Sequence, residues 1–456
     1  MAGTPAMLAG IWTALGGQDR LVSHVAHVGQ GAFASAFAVS DFAAATTGAA
    51  ALALAEFAAV RGGVEPSVAV DRRLASLWFA KSIRPVGWAM KDPWDPIAGN
   101  YAARDGWVRL HTNAPHHRAA ALSVLGVGTD RAAVTQAVAG WDAQDLEDAV
   151  VGAKGCAAML RSLADWRIHP QGRAVMEEEL VQWGETGIRP LRAFGQPGRP
   201  LEGLRVLDLT RVLAGPVATR FLAGYGADVL RIDPPGWDEP AVLPEVTPGK
   251  TRARLNLCQT EDRAIFVRLL GEADVLVHGY RSDALEKLGF GTARRADLAP
   301  GLIDVALDAY GWTGPWAQRR GFDTVVQMST GMAEREMRFR RQSLKPENLP
   351  VQALDYGTGH MIAAAVLRAL TQQAGDGRGR SARLSLARSA AFLACHENET
   401  TASLAPETDD DLGADTEVTY WGPARRLKPP MRVEGCDLYW NRNAGPLGDG
   451  APAFAY

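Results

Sequence analysis

Cysteine is scarce in this chain of 456 residues, which contains four: Cys156, Cys258, Cys395 and Cys436. They lie far apart, and none has a CxxC spacing. This pattern speaks against a disulfide framework and against a cysteine-based zinc site. We therefore predict a reduced, cytoplasmic protein without a metal site.

The chain also lacks an excess of charge of either sign. Its 48 lysines and arginines face 51 aspartates and glutamates, for a formal net charge of −3. Such a balance provides no broad basic field for nucleic acid or for an anionic membrane. We expect a small-molecule partner, and neither a nucleic acid nor a membrane.

Long hydrophobic runs are missing as well. Residues 1–21 contain no basic leader followed by a strongly apolar run, so no secretory signal is predicted there. The longest candidate span, residues 43–60, is mostly alanine and includes Thr46, Thr47 and Glu56. Because this stretch is too weakly hydrophobic to cross a bilayer, we predict a packed helix.

What the chain does contain, from residue 204 to about 393, is an alternation of short β-rich runs with helical stretches. The predicted strands are 204–210, 228–233, 252–257, 274–278 and 302–307, and the predicted helices include 216–225 and 260–272. Parallel strands joined by crossover helices need this order. The predicted fold class is therefore α/β, with a doubly wound, Rossmann-like parallel sheet and a smaller α+β domain.

Three regions follow from these patterns. Residues 1–199 form a helical segment and the small α+β domain, with a predicted hairpin at 100–110. Residues 200–405 form the Rossmann-like domain, which begins after the stiff, polar segment 196–200. Residues 406–456 combine an acidic run with a tail rich in proline and glycine, so we expect an extended C-terminal arm.

One internal echo occurs at a constant offset of 314 residues. The stretches that begin at Asp41 and at Asp355 both read as an aspartate, an alanine-rich helix, a glycine turn and a short strand. The identities are few, and alanine inflates them. If the echo is real, the N-terminal part derives from a copy of the later segment.

The loop at residues 210–216 follows the first predicted strand and opens directly into a helix. A helix start at the carboxyl edge of a sheet offers free N–H groups and the positive end of a dipole to an anion. A nucleotide site is plausible on this ground. Gly215 is the only glycine in the loop, so the dinucleotide fingerprint is absent, and an ordinary tight βα connection stays an alternative.

A second motif, Asp355-Tyr-Gly-Thr-Gly359, precedes the predicted helical run 360–371. A carboxylate here suits a nucleophile, and the N–H groups of Gly357 and Gly359 could face an oxyanion. A structural helix cap is the alternative. At Asp41 alanines replace both glycines, so a structural helix start is expected there.

Several ordered motifs resemble the class III coenzyme A transferases, the group of formyl-CoA transferase, carnitine CoA-transferase and α-methylacyl-CoA racemase. They lie at residues 201–216, 226–235, 272–280, 284–289, 310–316, 320–323 and 355–359. The N-terminal part resembles the small domain of the family more loosely. Because small-domain material comes first here, the domain order looks permuted or derived from a fused duplicate.

The resemblance implies a CoA-transferase that moves CoA between an acyl-CoA thioester and a carboxylic acid. Asp355 takes the place of the catalytic aspartate, which forms an aspartyl anhydride and then an aspartyl-CoA thioester. No tightly bound cofactor is implied, since coenzyme A enters as substrate. A homodimer is implied as well.

The resemblance also carries over a set of CoA contacts. Lys287 and Arg320 suit the neutralisation of phosphates. Lys250 is a weaker candidate for the same role. The full set is Val212, Ala214, Lys250, Tyr280, Lys287 and Arg320.

Phe322 discriminates between the reactions of this family, because the racemases carry histidine at this point as a base. Phenylalanine cannot take a proton, so transfer is favoured over racemisation. His360 lies one turn beyond Asp355, and helical geometry directs it elsewhere. A racemase or isomerase, a catalytically silent CoA-binding protein and, more distantly, a nicotinamide dehydrogenase stay as alternatives.

Three histidines, His111, His116 and His117, cluster near a predicted strand. No cysteine or acidic partner stands close to them in the pattern that metal ligands require. We expect no metal there.

Overall fold

The computed structural model describes residues 3–62, 67–196, 198–341, 344–401 and 403–455. Its α-helices are α1 Thr4–Ala14, α2 Val39–Gly62, α3 Arg72–Trp78, α4 Pro115–Leu125, α5 Arg131–Val138, α6 Ala143–Gly152, α7 Leu163–Ile168, α8 Pro170–Glu177, α9 Ala214–Gly224, α10 Leu243–Val246, α11 Thr260–Glu272, α12 Ala284–Lys287, α13 Thr292–Leu298, α14 Asp323–Thr330, α15 Met332–Arg340, α16 Ala353–Asp376 and α17 Leu386–Ala394. Its strands are β1 Val25–Val28, β2 Ser35–Phe37, β3 Val68–Asp71, β4 Ile83–Pro85, β5 Gly99–Ala102, β6 Trp107–Leu110, β7 Ala157–Met159, β8 Gln182–Ile188, β9 Arg205–Leu209, β10 Asp228–Asp233, β11 Lys250–Arg254, β12 Val275–His278, β13 Ile303–Asp308, β14 Arg378–Ser385, β15 Glu397–Thr400, β16 Leu412–Thr419, β17 Gly422–Leu427 and β18 Met431–Val433.

The main sheet has the strand order β11-β10-β9-β12-β13-β14-β8. All neighbours are parallel except β14 and β8. The inner strands are short and buried almost throughout, including their charged residues, because helices cover both faces of the sheet. This sheet confirms the predicted doubly wound α/β class.

The chain builds the sheet outward in two directions from its centre. Strands β9, β10 and β11 extend it to one side, and β12, β13 and β14 extend it to the other. The order therefore reverses between β9 and β12. In open α/β sheets, ligands bind in the crevice outside the carboxyl ends of the strands at such a reversal.

Most predicted elements lie where the pattern places them. The helix predicted at 260–272 is α11, and the hairpin predicted at 100–110 is the pair β5 and β6. The strand predicted at 252–257 instead spans Lys250–Arg254. It pairs with β10 up to Asp233, so the strand ends where its neighbour ends.

The predicted regional bounds stay predictions, and the structure shows which strands lie across them. β8, which precedes residue 199, is the edge strand of the main sheet. In the C-terminal region, β17 pairs with β4 and β18 pairs with β3. The N-terminal and C-terminal regions therefore both contribute strands to sheets that they share with another region.

Helix α2 confirms the predicted packed helix. The premise that the stretch is too weakly hydrophobic was wrong, since the helix is long and apolar enough to cross a membrane by length and composition; 83% of its apolar 18-residue window is buried inside the protein. It lies against α16. Thr47 contacts His360, 313 residues later, and Glu56 pairs with Arg368, 312 residues later. A nearly constant separation means that the two helices run parallel.

The 314-residue echo has a structural counterpart. α2 and α16 are both 24 residues long, and their first residues are 314 apart. The order β1-β3-β18, parallel and then antiparallel, repeats β13-β14-β8 on a smaller scale. Asp71 and Ser385, also 314 apart, each cap the helix that follows. The N-terminal part therefore repeats the arrangement of the later unit in reduced form.

Candidate active site

A cavity of about 450 Å³ opens at the carboxyl ends of the central strands. The loops after β9, β10, β11, β12 and β13 contribute to its wall. Its other wall includes the first turns of α4 and α16. Six of the predicted site residues lie in this one lining: Val212, Ala214, Tyr280, Arg320, Phe322 and Asp355.

Asp355 lies in the first turn of α16, and its residue is 6% exposed. Its backbone N–H donates to Oδ2 of Asp323 at 3.0 Å. Burial, and next the charge of Asp323, raises the pKa of the Asp355 carboxyl well above its ordinary value. A poorly solvated carboxyl beside a cavity is a candidate nucleophile, because little water must be removed before it attacks.

Asp323 holds the start of α16 from outside the helix. It begins α14, directly after Phe322, and it accepts the N–H of Asp355. The N-cap residue itself, Gln352, makes no side-chain cap. Burial raises the pKa of the Asp323 carboxyl as well. The sequence prediction missed Asp323, although it stands in the motif at 320–323.

The loop between β9 and α9 has a strained backbone. Val212 has φ 64°, in the left-handed region that non-glycine residues rarely enter. Its N–H donates to Oε2 of Glu239 at 2.9 Å. Such strain persists where surrounding structure holds it, and it concentrates at functional sites. Helix α9 begins two residues later, at Ala214, so the loop presents a helix start to the cavity.

Lys250 does not line the cavity. It is fully buried, and its Nζ pairs with Oδ2 of Asp208 at 3.1 Å. The same ammonium donates to Oγ1 of Thr219 and to the carbonyl of Pro216, both on α9. Lys250 therefore does not lie where it could contact CoA in the cavity. Its ammonium instead stabilises the fold by joining β11, β9 and the start of α9.

Lys287 also lies outside the cavity lining. Its side chain is 69% exposed, and its ammonium pairs with Asp283, one turn earlier. Ala284 and Leu288, on either side of it, do line the cavity. Neighbouring residues of this motif therefore reach the cavity, while the lysine side chain lies at the surface.

Gly357 and Gly359 lie inside α16, which begins at Ala353 and not at the predicted residue 360. The helix starts early because Asp323, remote in sequence, holds its first turn. A Cβ at Gly357 would overlap the ring of Phe42, and one at Gly359 would overlap the carbonyl of Ala214. These glycines allow close helix packing and do not line the cavity.

Residues 201–417 match the model of CoA-transferase family III. They cover the six strands β9 to β14 and every cavity residue named above. This part of the chain, just under half of its length, is therefore similar to CoA-transferase family III.

Several curated proteins are similar to the family III region. A probable fatty acyl-CoA transferase of Mycobacterium tuberculosis is 34% identical over 199 residues, which are 40% of this chain and 49% of that protein. An acetyl-CoA:oxalate CoA-transferase of Acetobacter aceti is 36% identical over 149 residues (30% and 38%). A succinyl-CoA:glutarate CoA-transferase of Homo sapiens is 32% identical over 194 residues (40% and 44%).

The chain is also similar to solved structures. One from Mycobacterium tuberculosis is 32% identical, covers 44% of this chain and 57% of its own, and has a TM-score of 0.39. The chain spans about half the length, or less, of the curated relatives described above.

The family III cavity also contains residues that the sequence prediction did not assign. Arg211 lies between the rings of Trp237 and Tyr280, at 4.7 and 4.8 Å from their centroids. Asp308, at the end of β13, accepts the N–H of Gly311 through Oδ1. Burial raises the pKa of the Asp308 carboxyl well above its ordinary value.

The histidines of the N-terminal part reach the family III cavity. His116 and His117, in the first turn of α4, line it, and His111 stacks on Phe322. The clustering of the three histidines in the sequence was a signal that they share a site. Their distance from Asp355 along the chain gave no indication that this site is the same cavity. His360, as predicted, points elsewhere: it is buried against Phe79 and does not line the cavity.

Asp41, the counterpart of Asp355 in the 314-residue echo, has a carboxylate whose oxygens are already engaged in hydrogen bonds. Arg72 donates two hydrogen bonds to its carboxylate, at 3.0 and 3.1 Å, and Thr4 donates a third at 2.7 Å. Leu386, the residue 314 positions after Arg72, lines the cavity beside Asp355. The structural helix start that was predicted at Asp41 agrees with these contacts.

Proposed function

We propose that this chain is a CoA-transferase that moves CoA between an acyl-CoA thioester and a carboxylic acid, with Asp355 as nucleophile. The observation that carries the proposal is the position of Asp355: a buried carboxyl at a helix start, in the cavity at the reversal point of a family III sheet.

The first half of the reaction frees the donor acid. The Asp355 carboxylate attacks the thioester carbonyl carbon, the C–S bond breaks, and a mixed anhydride and the CoA thiolate form. The thiolate then attacks the carbonyl carbon of Asp355. The donor acid leaves as a carboxylate, and an aspartyl-CoA thioester remains.

The second half reverses these steps with the acceptor. The acceptor carboxylate attacks the aspartyl-CoA thioester and expels the thiolate, which gives a second anhydride. The thiolate attacks the acyl carbon of the acceptor, so a new acyl-CoA leaves and the Asp355 carboxylate is restored. No proton or electron is gained or lost, so no redox cofactor or metal is required.

The surroundings of Asp355 suit these intermediates, which water would hydrolyse. Phe322, Leu307 and Leu386 line the cavity with apolar surface and limit the access of water to it. Arg281 and Arg320 line the same cavity and supply positive charge for the phosphates of CoA. Tyr280 and the helix start at Ala214 complete the proposed CoA contacts.

Phe322 supports transfer over racemisation, because it offers no base at the position where racemases of this family carry histidine.

The homodimer and the cytoplasmic location stay predictions. Part of the wall facing the sheet comes from α4 of the same chain.

The proposal is tested with succinyl-CoA and acetyl-CoA as donors, chosen from the names of the relatives. Wild-type protein and Asp355→Ala are each incubated with the donor, and adducts are measured by mass spectrometry before and after hydroxylamine. Asp41→Ala is the matched control. We expect a hydroxylamine-sensitive adduct on Asp355 in the wild type and the control, and none in Asp355→Ala. An adduct that persists in Asp355→Ala overturns the assignment.

A further inference from the structure

His117 is a buried histidine with no partner for its nitrogens. It lies in the first turn of α4, its residue is 4% exposed, and it lines the same cavity as Asp355. Among the described residues, neither Nδ1 nor Nε2 has a hydrogen-bond partner. Leaving a buried polar group unpaired costs about 1–3 kcal/mol, so such a group calls for an explanation.

Aromatic contacts hold the ring in place. The His117 ring stands at 67° to the ring of Phe322, with centroids 5.8 Å apart. His111 stacks on Phe322, at 3.9 Å and 3°. His116 stands against His117 at 4.2 Å. These contacts orient the imidazole without using its nitrogens.

The charge state of His117 defines what it can do. Burial, and next the charges of His116 and Arg320, lowers the pKa of His117 to about 3. Near neutral pH the ring is therefore uncharged, with one N–H donor and one acceptor nitrogen. It can donate a hydrogen bond but is a poor base.

The proposed reaction needs a hydrogen-bond donor that the motif at 355–359 does not supply. When Asp355 attacks a thioester, negative charge develops on the carbonyl oxygen, and donors placed at that oxygen lower the barrier. Gly357 and Gly359, the predicted donors, lie inside α16 and outside the cavity lining. A donor must therefore come from another part of the wall.

We propose that His117 donates a hydrogen bond to the thioester carbonyl oxygen of the bound acyl-CoA while Asp355 attacks the carbonyl carbon. The inference rests on the proposed function. No proton is transferred: the N–H bond of His117 stays intact, and the negative charge passes from the carboxylate through the oxygen to the leaving thiolate.

The test compares three variants with acetyl-CoA as donor and acetate exchange as readout. His117→Phe keeps a ring and removes both nitrogens, and His117→Gln keeps an uncharged donor. His111→Phe is the matched control, since it makes the same change against Phe322 at a position outside the cavity lining. Thermal unfolding shows whether each variant is folded.

We expect His117→Phe to lower kcat by about 10²-fold, the effect of removing one donor from a developing oxyanion, with a much smaller change in KM. His117→Gln should recover a large part of that loss, and His111→Phe should exchange at the wild-type rate. A merely structural role would instead lower activity in His117→Phe together with its unfolding temperature, without rescue by glutamine.

A binding measurement separates this inference from the proposed function. S-ethyl-CoA is a thioether without the carbonyl oxygen, so removal of the His117 nitrogens should weaken binding of acetyl-CoA and leave the affinity for S-ethyl-CoA unchanged. Equal losses for both ligands overturn the inference. If the wild type exchanges no CoA, the proposed function fails, and the comparison of the two ligands still decides whether His117 contacts the carbonyl oxygen.

Discussion

Replacing Lys250 with methionine separates the structural role of this residue from the CoA contact that the sequence predicted. The Lys250 ammonium and the Asp208 carboxylate are both fully buried, 3.1 Å apart. Methionine fills most of the volume but leaves the carboxylate without its counter-charge. Breaking a buried ion pair by removing one partner costs about 3–5 kcal/mol. We expect a loss of unfolding free energy in that range.

The size of the loss also depends on what remains around Asp208. Its carboxylate accepts hydrogen bonds from Thr210 and Thr219, and these survive in Lys250→Met. The carbonyl of Pro216 loses its donor. Three hydrogen bonds to the carboxylate remain, from the Thr210 N–H and from the hydroxyls of Thr210 and Thr219. They compensate the buried carboxylate in part, so the expected loss lies toward the lower end of the range of about 3–5 kcal/mol.

Urea unfolding of four proteins checks this: the wild type, Lys250→Met, Asp208→Asn and the double variant. The double variant should lose less than the sum of the single losses, because it leaves no unpaired charge. Isothermal titration with CoA should give an unchanged affinity for folded Lys250→Met. A variant that is as stable as the wild type but no longer binds CoA would refute the structural role and restore the contact.

Three further outcomes are expected. The pKa of the Asp355 carboxyl is raised, and in the proposed reaction only its anion attacks, so kcat/KM should fall as the pH drops through that raised value. Asp323→Asn removes a neighbouring negative charge and should lower the pKa of Asp355. In a pH–rate profile, the acid limb of this variant should lie at lower pH than that of the wild type. Gly357→Ala should cost about 1–3 kcal/mol in urea unfolding by overlap with Phe42, and Phe42→Leu in the same chain should recover part of it. Asp41→Ala should lower the unfolding temperature and leave the exchange rate unchanged, and an adduct on Asp41 would contradict this.

The sheet could be predicted because its signal is local. The runs at 204–210 and 228–233 are short, rich in Val, Leu and Ile and bounded by turn residues, and each is a strand whose bounds differ from the predicted ones by at most one residue. The gathering of Asp355, Tyr280 and Val212 around one cavity followed from family motifs that mark strand ends. Local pattern and topology therefore placed these parts of the site.

Burial and remote contacts could not be predicted in the same way. Lys250 and Lys287 look alike in sequence, yet one is fully buried beside Asp208 and the other is 69% exposed. The start of α16 depends on Asp323, which is 32 residues away along the chain. His117 reaches the cavity from a helix more than 200 residues before Asp355. Each of these facts depends on tertiary structure, which no local pattern contains.

The parallel pair α2 and α16 has an evolutionary consequence. In a symmetric dimer of identical chains, every substitution appears twice, so neither subunit can specialise. Two matching helices within one polypeptide can change independently. The aspartate at the start of α16 lines the cavity, whereas Arg72 pairs with the aspartate at the start of α2, so a change at one of the two positions need not alter the other.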